Sequence, residues 1–322
     1  MSSVSTPAPL SIPQAAEQLA QVQEAGQRVF RGKPQVIRLA LTALFARGHV
    51  LIEDLPGLGK TTLARALARL LGCEFRRIQF TADLLPSDIL GVSVYNWDTK
   101  GFEFKPGPIF TNVLLADEVN RSSPRTQSSL LEAMNEATVS VDNQTHRLPR
   151  PFLVLATQNP LEHYGTFPLP DSQLDRFLLR VTIGYPEREE EKAIIATQAA
   201  GDPLGTLAPL LNPARVLALQ ETVERVRLEA SLLEYLMVLV ERTRSHPRLA
   251  VGASPRGAIA LHRAAQALAL LEGRDFCLPD DVKRLAVPVL AHRLIPRGGQ
   301  EEGSAVGEEC VRELLDQVPV PA

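Results

Sequence analysis

The chain contains few cysteines and few groups that bind metals. Its three cysteines, Cys73, Cys277 and Cys310, lie far apart and form no Cys-x-x-Cys pair, and its six histidines show no ligand spacing. These absences argue against a zinc site and a disulfide framework, and isolated thiols favour a reducing compartment. No Gly-x-Ser-x-Gly motif and no cysteine paired with a nearby histidine is present, so covalent nucleophilic catalysis has no support.

The sequence also lacks an excess of basic residues and any long hydrophobic run. It has 34 Lys and Arg against 37 Asp and Glu, a net charge of −3, which argues against a dedicated nucleic-acid binder. Without a run of ~18 apolar residues, no membrane insertion is expected. Residues 1–13 are rich in Ser, Pro and Ala but have no basic or apolar signal region. We therefore predict a soluble, cytoplasmic protein.

The order of apolar runs and helical patterns predicts two structural units. Short apolar runs at 49–53, 76–80, 112–116, 152–156 and 178–183 alternate with helical patterns, which favours a parallel sheet covered by helices on both faces. Residues 137–148 alternate instead and predict an exposed β-hairpin. Three prolines in residues 201–213 suggest a boundary, after which the pattern is almost entirely helical. The predicted division is a disordered tail at 1–13, an α/β nucleotide-binding domain at 14–200 and a helical lid domain at 201–322.

The segment after the first apolar run has the composition of a phosphate-binding loop. Residues 54–62 read Asp-Leu-Pro-Gly-Leu-Gly-Lys-Thr-Thr and precede a helical pattern. Glycines allow backbone N–H groups to turn inward around phosphate oxygens, the lysine reaches the β- and γ-phosphates, and the first threonine suits Mg²⁺. Asp54 stands where the general pattern has glycine. The alternative is a Gly-rich turn beside an ordinary lysine. The predicted ATP-binding residues are Pro56, Gly57, Leu58, Gly59, Lys60, Thr61 and Thr62.

Two further apolar strands end in polar residues that suit catalysis. Asp117 and Glu118 follow the run at 112–116, and Asn159 follows the run at 152–156. Asp117, together with Thr61, is a candidate Mg²⁺ ligand, and Glu118 is a candidate group for polarising the attacking water. Asn159 is a candidate for orienting that water or contacting the γ-phosphate. The alternatives are a solvated acidic pair and a plain Asn-Pro turn.

These motifs together resemble the MoxR family of AAA+ ATPases, over about residues 25–295. The matching segments are Glu53–Thr61, Gly107–Ala133 with its Leu-Ala-Asp-Glu-Val-Asn-Arg, Ala156–Pro160, Leu169–Phe177 with its Leu-Asp-Arg-Phe, and Gly252–Arg256. The resemblance implies a P-loop AAA+ core, in which helices enclose a parallel sheet, followed by an all-helical lid. It also implies a hexamer that hydrolyses ATP with Mg²⁺ and remodels protein clients, possible partners being von Willebrand factor A domain proteins.

The resemblance further implies roles for three arginines and two insertions. Arg176 would be an arginine finger acting on a neighbouring subunit, Arg256 a second sensor, and Arg121 another inter-subunit arginine. From the residues alone, Arg176 is equally a partner for Asp175 or Asp171, and Arg256 an ordinary residue of a helix start. Residues 86–108 and 137–148 would face a central pore and touch clients. In this first insertion, the aromatic residues Tyr95, Trp97 and Phe102 suit either a partner peptide or packing within a hairpin.

Three alternative functions remain at the level of sequence. A metal-chelatase-like motor subunit shares the same ATPase core. A nucleic-acid motor needs basic residues on the pore hairpin, where residues 137–148 carry Arg147 and His146 against Asp142. A nucleotide-dependent scaffold with little turnover would lack a catalytic acid or a finger, whereas Glu118 and Arg176 are both present.

Overall fold

The computed structural model describes residues 9–142, 144–160, 165–201, 203–298 and 303–320. The helices are α1 Ile12–Val29, α2 Pro34–Phe45, α3 Lys60–Leu70, α4 Pro86–Leu90, α5 Pro124–Glu136, α6 Asp171–Leu174, α7 Arg188–Ala200, α8 Pro213–Val223, α9 Ala230–Ser245, α10 Pro255–Leu271, α11 Pro279–Leu290 and α12 Gly303–Gln317. The strands are β1 Val50–Glu53, β2 Phe75–Gln79, β3 Gly91–Asn96, β4 Gly101–Pro106, β5 Val113–Asp117, β6 Thr138–Val141, β7 Gln144–Arg147, β8 Leu153–Gln158, β9 Leu179–Val181, β10 Leu249–Val251 and β11 Ile295–Pro296.

Five strands form a parallel sheet in the order β2-β5-β8-β1-β9. The apolar runs of the sequence supply these strands, so the predicted parallel sheet is confirmed. Strand β2 lies at an edge and exposes most of its residues, which is why its sequence Phe-Arg-Arg-Ile-Gln tolerates charge. The order of the strands brings β5, β8 and β1 together in the middle of the sheet.

Hydrophobic cores lie on both faces of this sheet. Successive side chains of a strand point to opposite faces, so Leu114 and Ala116 join the core covered by α5, whereas Val113 and Leu115 join the other core. That second core continues without interruption through α2 and α3 into the C-terminal helices α8–α12. The predicted helical lid is thus confirmed, and it packs against α2 and β9.

The N-terminal helix begins earlier than predicted. Helix α1 starts at Ile12, and the carbonyl of Ser11 accepts the N–H of Ala15 at 3.0 Å. The proposed disordered tail 1–13 is therefore wrong for its last two residues, because a proline such as Pro13 is tolerated in the first turn of a helix. Residues 1–8 of that tail lie outside the described residues.

Two hairpins extend from the sheet domain. The predicted hairpin at 137–148 is confirmed by the antiparallel pair β6 and β7, although Asn143 at its turn is not among the described residues. The segment 86–108 forms the short helix α4 and the hairpin β3–β4. The ring of Phe104 stacks on that of His146, with centroids 3.9 Å apart. This stack joins the two hairpins side by side.

His49 lies buried immediately before β1 and connects the sheet to α5. Its Nδ1 accepts the N–H of Val154 at 3.0 Å, so its proton resides on Nε2, which donates to the Met134 carbonyl at 3.0 Å. Burial lowers the pKa of His49 from its ordinary value of 6.5 to about 4, although the bond to Met134 opposes this shift. The ring is therefore neutral in the folded protein at neutral pH.

We expect the free energy of unfolding to fall as the pH drops from 6.5 towards 4. Because the unfolded chain binds a proton at His49 near pH 6.5 and the folded chain only near pH 4, protonation favours unfolding by up to about 3 kcal/mol. Above pH 6.5 this contribution stays constant. Denaturant unfolding of the wild type and His49→Gln between pH 4 and 8 measures it, since carboxylates affect both proteins alike. An identical pH slope in the two proteins would contradict this assignment.

Candidate functional site

The loop between β1 and α3 depends on two glycines with left-handed backbone. Gly57 has φ 84° and Gly59 φ 85°, a region that residues with a Cβ rarely adopt. A Cβ on Gly59 would lie 3.0 Å from the ring of Phe30, whereas at Gly57 it would enter open space. Helix α3 begins at Lys60, directly after Gly59. The loop therefore places the positive end of helix α3 at the space in front of it.

A polar cleft of about 220 Å³ opens in front of this loop. Lys60 and Thr61 line it from one side, and Asp117, Glu118 and Asn159 line it from the other. These residues meet because the carboxyl ends of parallel strands lie at the same edge of a sheet, and β1, β5 and β8 are neighbours. The structure thus brings together the predicted loop, the predicted acids and the predicted Asn159.

The carboxylate of Asp117 is held between a threonine and an arginine. Thr157 donates its hydroxyl to Oδ1 at 2.5 Å, and Arg77 donates to Oδ2 through Nη2 at 2.6 Å and Nε at 3.1 Å. Arg77 lies on β2 and also lines the cleft. Sequence reasoning missed this residue, and the only signal was a pair of arginines within a predicted strand. Its guanidinium places a positive charge beside Asp117, where a cation would also bind.

Oxygen donors in the cleft fit a magnesium ion. Thr61 offers a hydroxyl and Asp117 a carboxylate, and Mg²⁺ prefers one or two such ligands together with water and substrate phosphates. No cluster of three or more His, Cys, Asp or Glu residues with metal-binding spacing occurs within the described ranges. The donor set therefore suits a metal that arrives with a phosphorylated ligand rather than a permanently caged ion.

Glu118 occupies a strained backbone position at the end of β5. Its φ of 58° and ψ of 49° are unusual for a residue with a side chain, and its N–H is anchored on the Thr157 hydroxyl at 2.9 Å. Its Oε2 accepts the amide of Gln79 at 2.6 Å and Nη1 of Arg121 at 3.0 Å. Thr157 therefore orients both acids, and the bond from Gln79 joins the Glu118 carboxylate to β2.

A second, more apolar cavity of about 420 Å³ adjoins the predicted phosphate loop. Pro56, Gly57 and Gly59 line both spaces, so the two are adjacent across the loop. Leu58 and Thr62 line the second cavity only. Its remaining walls come from the end of α1, the segment after β9 and helix α7, and include Val29, Phe30, Ile183, Gly184, Tyr185, Ile194 and Ile195. Sequence reasoning missed these residues because they are ordinary apolar residues from distant segments.

Arg176 and Arg256 are not among the described residues that line either space. Arg176 donates through Nη1 to the Leu131 carbonyl at 3.0 Å. Arg256 lies 3.9 Å from the carboxylate of Asp175, whose other oxygen binds the buried Arg293 at 2.8 Å. Asp175 therefore holds two lid arginines, and the alternative in which it pairs with Arg176 is not observed. Through Asp175, the turn that carries Arg176 is joined to the start of α10.

Known proteins resemble the chain over both structural units. Residues 49–179 match the ATPase family associated with various cellular activities (AAA), and residues 241–314 match the AAA lid domain. Chaperone MoxR1 of Mycobacterium tuberculosis is 40% identical over 92% of this chain and 80% of its own length. Protein MoxR of Methylorubrum extorquens is 32% identical over 90% of this chain and 91% of its own length. The chain belongs to the MoxR family of AAA+ ATPases.

Two further known proteins are similar to almost the whole chain. YeaC of Bacillus subtilis, an uncharacterized protein, is 50% identical over 91% of this chain and 92% of its own length. A crystal structure of a Cytophaga hutchinsonii protein superposes with a TM-score of 0.88 at 36% identity and covers 97% of both chains. Helices long and apolar enough to cross a membrane are absent from the described part of this MoxR protein. The boundary between residues 200 and 201 stays a prediction.

Proposed function

We propose that this MoxR protein hydrolyses ATP with Mg²⁺ and uses the energy, as a cytoplasmic hexamer, to remodel, assemble or activate client proteins. One observation carries the proposal: the phosphate loop, Asp117, Glu118 and Asn159 line a single cleft next to an apolar cavity. The name of the relative Chaperone MoxR1 supports the remodelling role. Von Willebrand factor A domain proteins are the partner class that the family resemblance suggests.

The nucleotide is proposed to bind across the phosphate loop. The triphosphate would lie in the polar cleft against the backbone of residues 56–61 and Lys60, and the base in the apolar cavity between Phe30 and Ile183. Thr61 and Asp117 would hold Mg²⁺, which when bound neutralises charge on the β- and γ-phosphates. Lys60 Nζ donates to the Asp54 carbonyl in this structure. This bond holds the positive charge of Lys60 at the loop, where a phosphate would bind.

Glu118 is the proposed base that polarises the attacking water. Gln79 and Arg121 both donate to its Oε2, and the proposed acceptor for the water is its other oxygen, Oε1. Asn159, buried at the end of β8, would orient the same water from the opposite wall. A scaffold without turnover has no need for an acid at this place, which favours the ATPase over that alternative.

The two remaining arginines are proposed to act on a neighbour's nucleotide. Arg176 and Arg256 lie away from the cleft of their own subunit and are joined through Asp175. The proposed finger role of Arg176 therefore requires the nucleotide of a neighbouring subunit, which the proposed hexamer would provide. Arg121 contacts Glu118 within the same subunit, and the inter-subunit role that the resemblance implies for it stays a prediction.

Exposed aromatic residues on the β3–β4 hairpin are the proposed client contact. Trp97 is 82% exposed and Phe102 77% exposed, and Tyr95 contacts both rings at 5.0 and 5.4 Å. Exposed aromatic clusters of this kind are typical of protein-binding surfaces. The structure thus favours a role for these rings outside the hairpin's own packing.

The proposed function predicts that turnover depends on the metal and responds to a client. ATP hydrolysis by the wild type should stop when EDTA removes Mg²⁺ and return when Mg²⁺ is restored. Reduced, carboxymethylated α-lactalbumin, a permanently unfolded chain, should raise the rate because it supplies apolar segments for the hairpin. Steady-state phosphate release measures both effects.

A double variant separates the client contact from the ATPase. Trp97→Ser with Phe102→Ser should keep the basal rate and lose the stimulation. Leu233→Ser on α9 is the matched control, since it also removes an exposed apolar side chain. Hydrolysis that continues in EDTA would reject the metal-dependent ATPase, and full stimulation of the double variant would reject the hairpin as the client contact.

A further inference from the structure

Asp54 departs from the general phosphate-loop pattern and is buried. It stands six residues before Lys60, where that pattern has glycine, and it is 6% exposed. Its Oδ2 accepts the N–H groups of Ile183 at 2.6 Å and Gly184 at 2.7 Å, and its Oδ1 accepts the N–H of Leu55 at 2.9 Å. The carboxylate therefore satisfies three backbone donors at the start of the loop.

The partners of this carboxylate belong to the wall of the apolar cavity. Ile183 and Gly184 follow β9, and both line the cavity proposed for the base. Gly184 has φ 67°, which turns the chain so that two consecutive N–H groups converge on one oxygen. The main-chain carbonyl of Asp54 accepts Lys60 Nζ. One residue is thus bonded to the phosphate-binding lysine and to the opposite wall of the nucleotide site.

Glycine at this position offers no equivalent bond. Residues 54 and 183 are 129 positions apart, and the carboxylate joins them by charge-assisted hydrogen bonds, which are stronger than neutral ones. Removing the carboxylate would leave the buried N–H of Ile183 without its acceptor, and an unsatisfied buried donor is costly. The segment 183–184 would then shift to find another acceptor, and the cavity wall would move with it.

We propose that Asp54 is a positioning residue that holds the wall of the nucleoside cavity against the phosphate loop. The segments that bind the triphosphate and the nucleoside of ATP are thereby fixed relative to each other. This inference rests on the proposed nucleotide site. It assigns to Asp54 an effect on the nucleoside part of the ligand alone, since the backbone N–H groups that face the phosphates belong to residues 56–61.

Competition between ATP and inorganic tripolyphosphate tests the assignment on the full-length protein with Mg²⁺. Tripolyphosphate carries the same phosphates and no nucleoside. In Asp54→Asn the side chain keeps only one of the two acceptor oxygens, so it cannot serve the Leu55 donor and the Ile183 and Gly184 donors together. The Kd for ATP should therefore rise about tenfold or more. The Kd for tripolyphosphate should stay within about twofold of the wild type, because lost contacts to the nucleoside do not affect it.

Two further variants and a stability measurement complete the test. Asp54→Gly restores the general pattern of the loop and should show the same selective loss of ATP affinity. Asp88→Asn is the control, since Asp88 also accepts a backbone N–H, that of Leu85 at 2.9 Å, away from the site; it should change neither affinity. Thermal unfolding identifies any variant that does not fold. If Asp54→Asn does not fold, the two affinities of Asp54→Gly test the assignment.

Two outcomes would overturn the inference in distinguishable ways. Equal losses for ATP and tripolyphosphate in both Asp54 variants, or no loss for either ligand, would show that Asp54 serves only the fold of the loop. A wild type that binds neither ligand would reject the nucleotide site itself.

Discussion

Replacing Arg176 with alanine should reduce ATP turnover by the assembled protein ~10³–10⁵-fold. This loss corresponds to roughly 4–7 kcal/mol of transition-state stabilisation. The physical reason is that Arg176 lies outside its own cleft and would supply positive charge to the γ-phosphate of a neighbour's ATP. Its Nη1 donates to the Leu131 carbonyl and its Nε is buried, so thermal unfolding of Arg176→Ala is measured beside turnover to show that the variant folds.

Turnover per subunit measured against protein concentration tests the shared site. The wild-type rate should rise steeply with concentration, because an isolated subunit lacks the finger. Mixing Arg176→Ala with Glu118→Gln should restore part of the activity, since a Glu118→Gln subunit supplies the arginine to a neighbour whose acid is intact. Arg28→Ala, which removes an exposed arginine of α1, is the control. A flat rate that Arg176→Ala does not change would make the site self-contained and Arg176 structural.

Lys60→Ala and Glu118→Gln should separate binding of ATP from its hydrolysis. Lys60 is the cation of the phosphate loop, so Lys60→Ala should abolish measurable nucleotide binding, with affinity reduced ~10²-fold or more. Glu118→Gln should bind ATP as the wild type does but hydrolyse it ~10²–10⁴-fold more slowly, because an amide does not accept the proton of water. The amide oxygen still accepts the bond from Gln79, which preserves the local structure.

Calorimetric titration with ATP and single-turnover hydrolysis measure the two effects on the same preparations. Glu309→Gln on α12 is the matched control, since its exposed carboxylate pairs with Arg248 outside the cleft. If Lys60→Ala bound ATP as tightly as the wild type, the phosphate-loop assignment would fail. If Glu118→Gln hydrolysed ATP at the wild-type rate, the assignment of the base would fail, whereas the assignment of the loop would stand.

Local patterns made much of the fold predictable. A strand, a glycine-rich loop and a helix follow each other within about twenty residues. The loop that contains Gly57, Gly59 and Lys60 was therefore predictable from its local sequence. The strands that end in Asp117 and Gln158 were predictable because buried parallel strands are continuous apolar runs. The helical C-terminal unit was predictable from a different pattern, in which apolar residues recur three and four positions apart.

Contacts between distant segments were not predictable in this way. Arg77 and Gln79 reach Asp117 and Glu118 only because β2 pairs with β5. The sequence of one strand does not show which other strand it pairs with. The hydrogen bonds of Asp54 to residues 183 and 184 have no local signature. From the motif, this aspartate was only a departure from glycine, whereas in the fold its carboxylate connects two segments of the site.

The sequence by itself determined the family and the α/β class and predicted the residues of the phosphate loop, because each depends on neighbours within one turn, strand or helix. Only the tertiary structure decided which side chains meet in the cleft, where the apolar cavity lies and that Arg176 and Arg256 stand outside it. The physical reason is that strand order and helix packing are set by burial of the whole apolar surface. They bring together residues more than a hundred positions apart, between which the sequence shows no spacing.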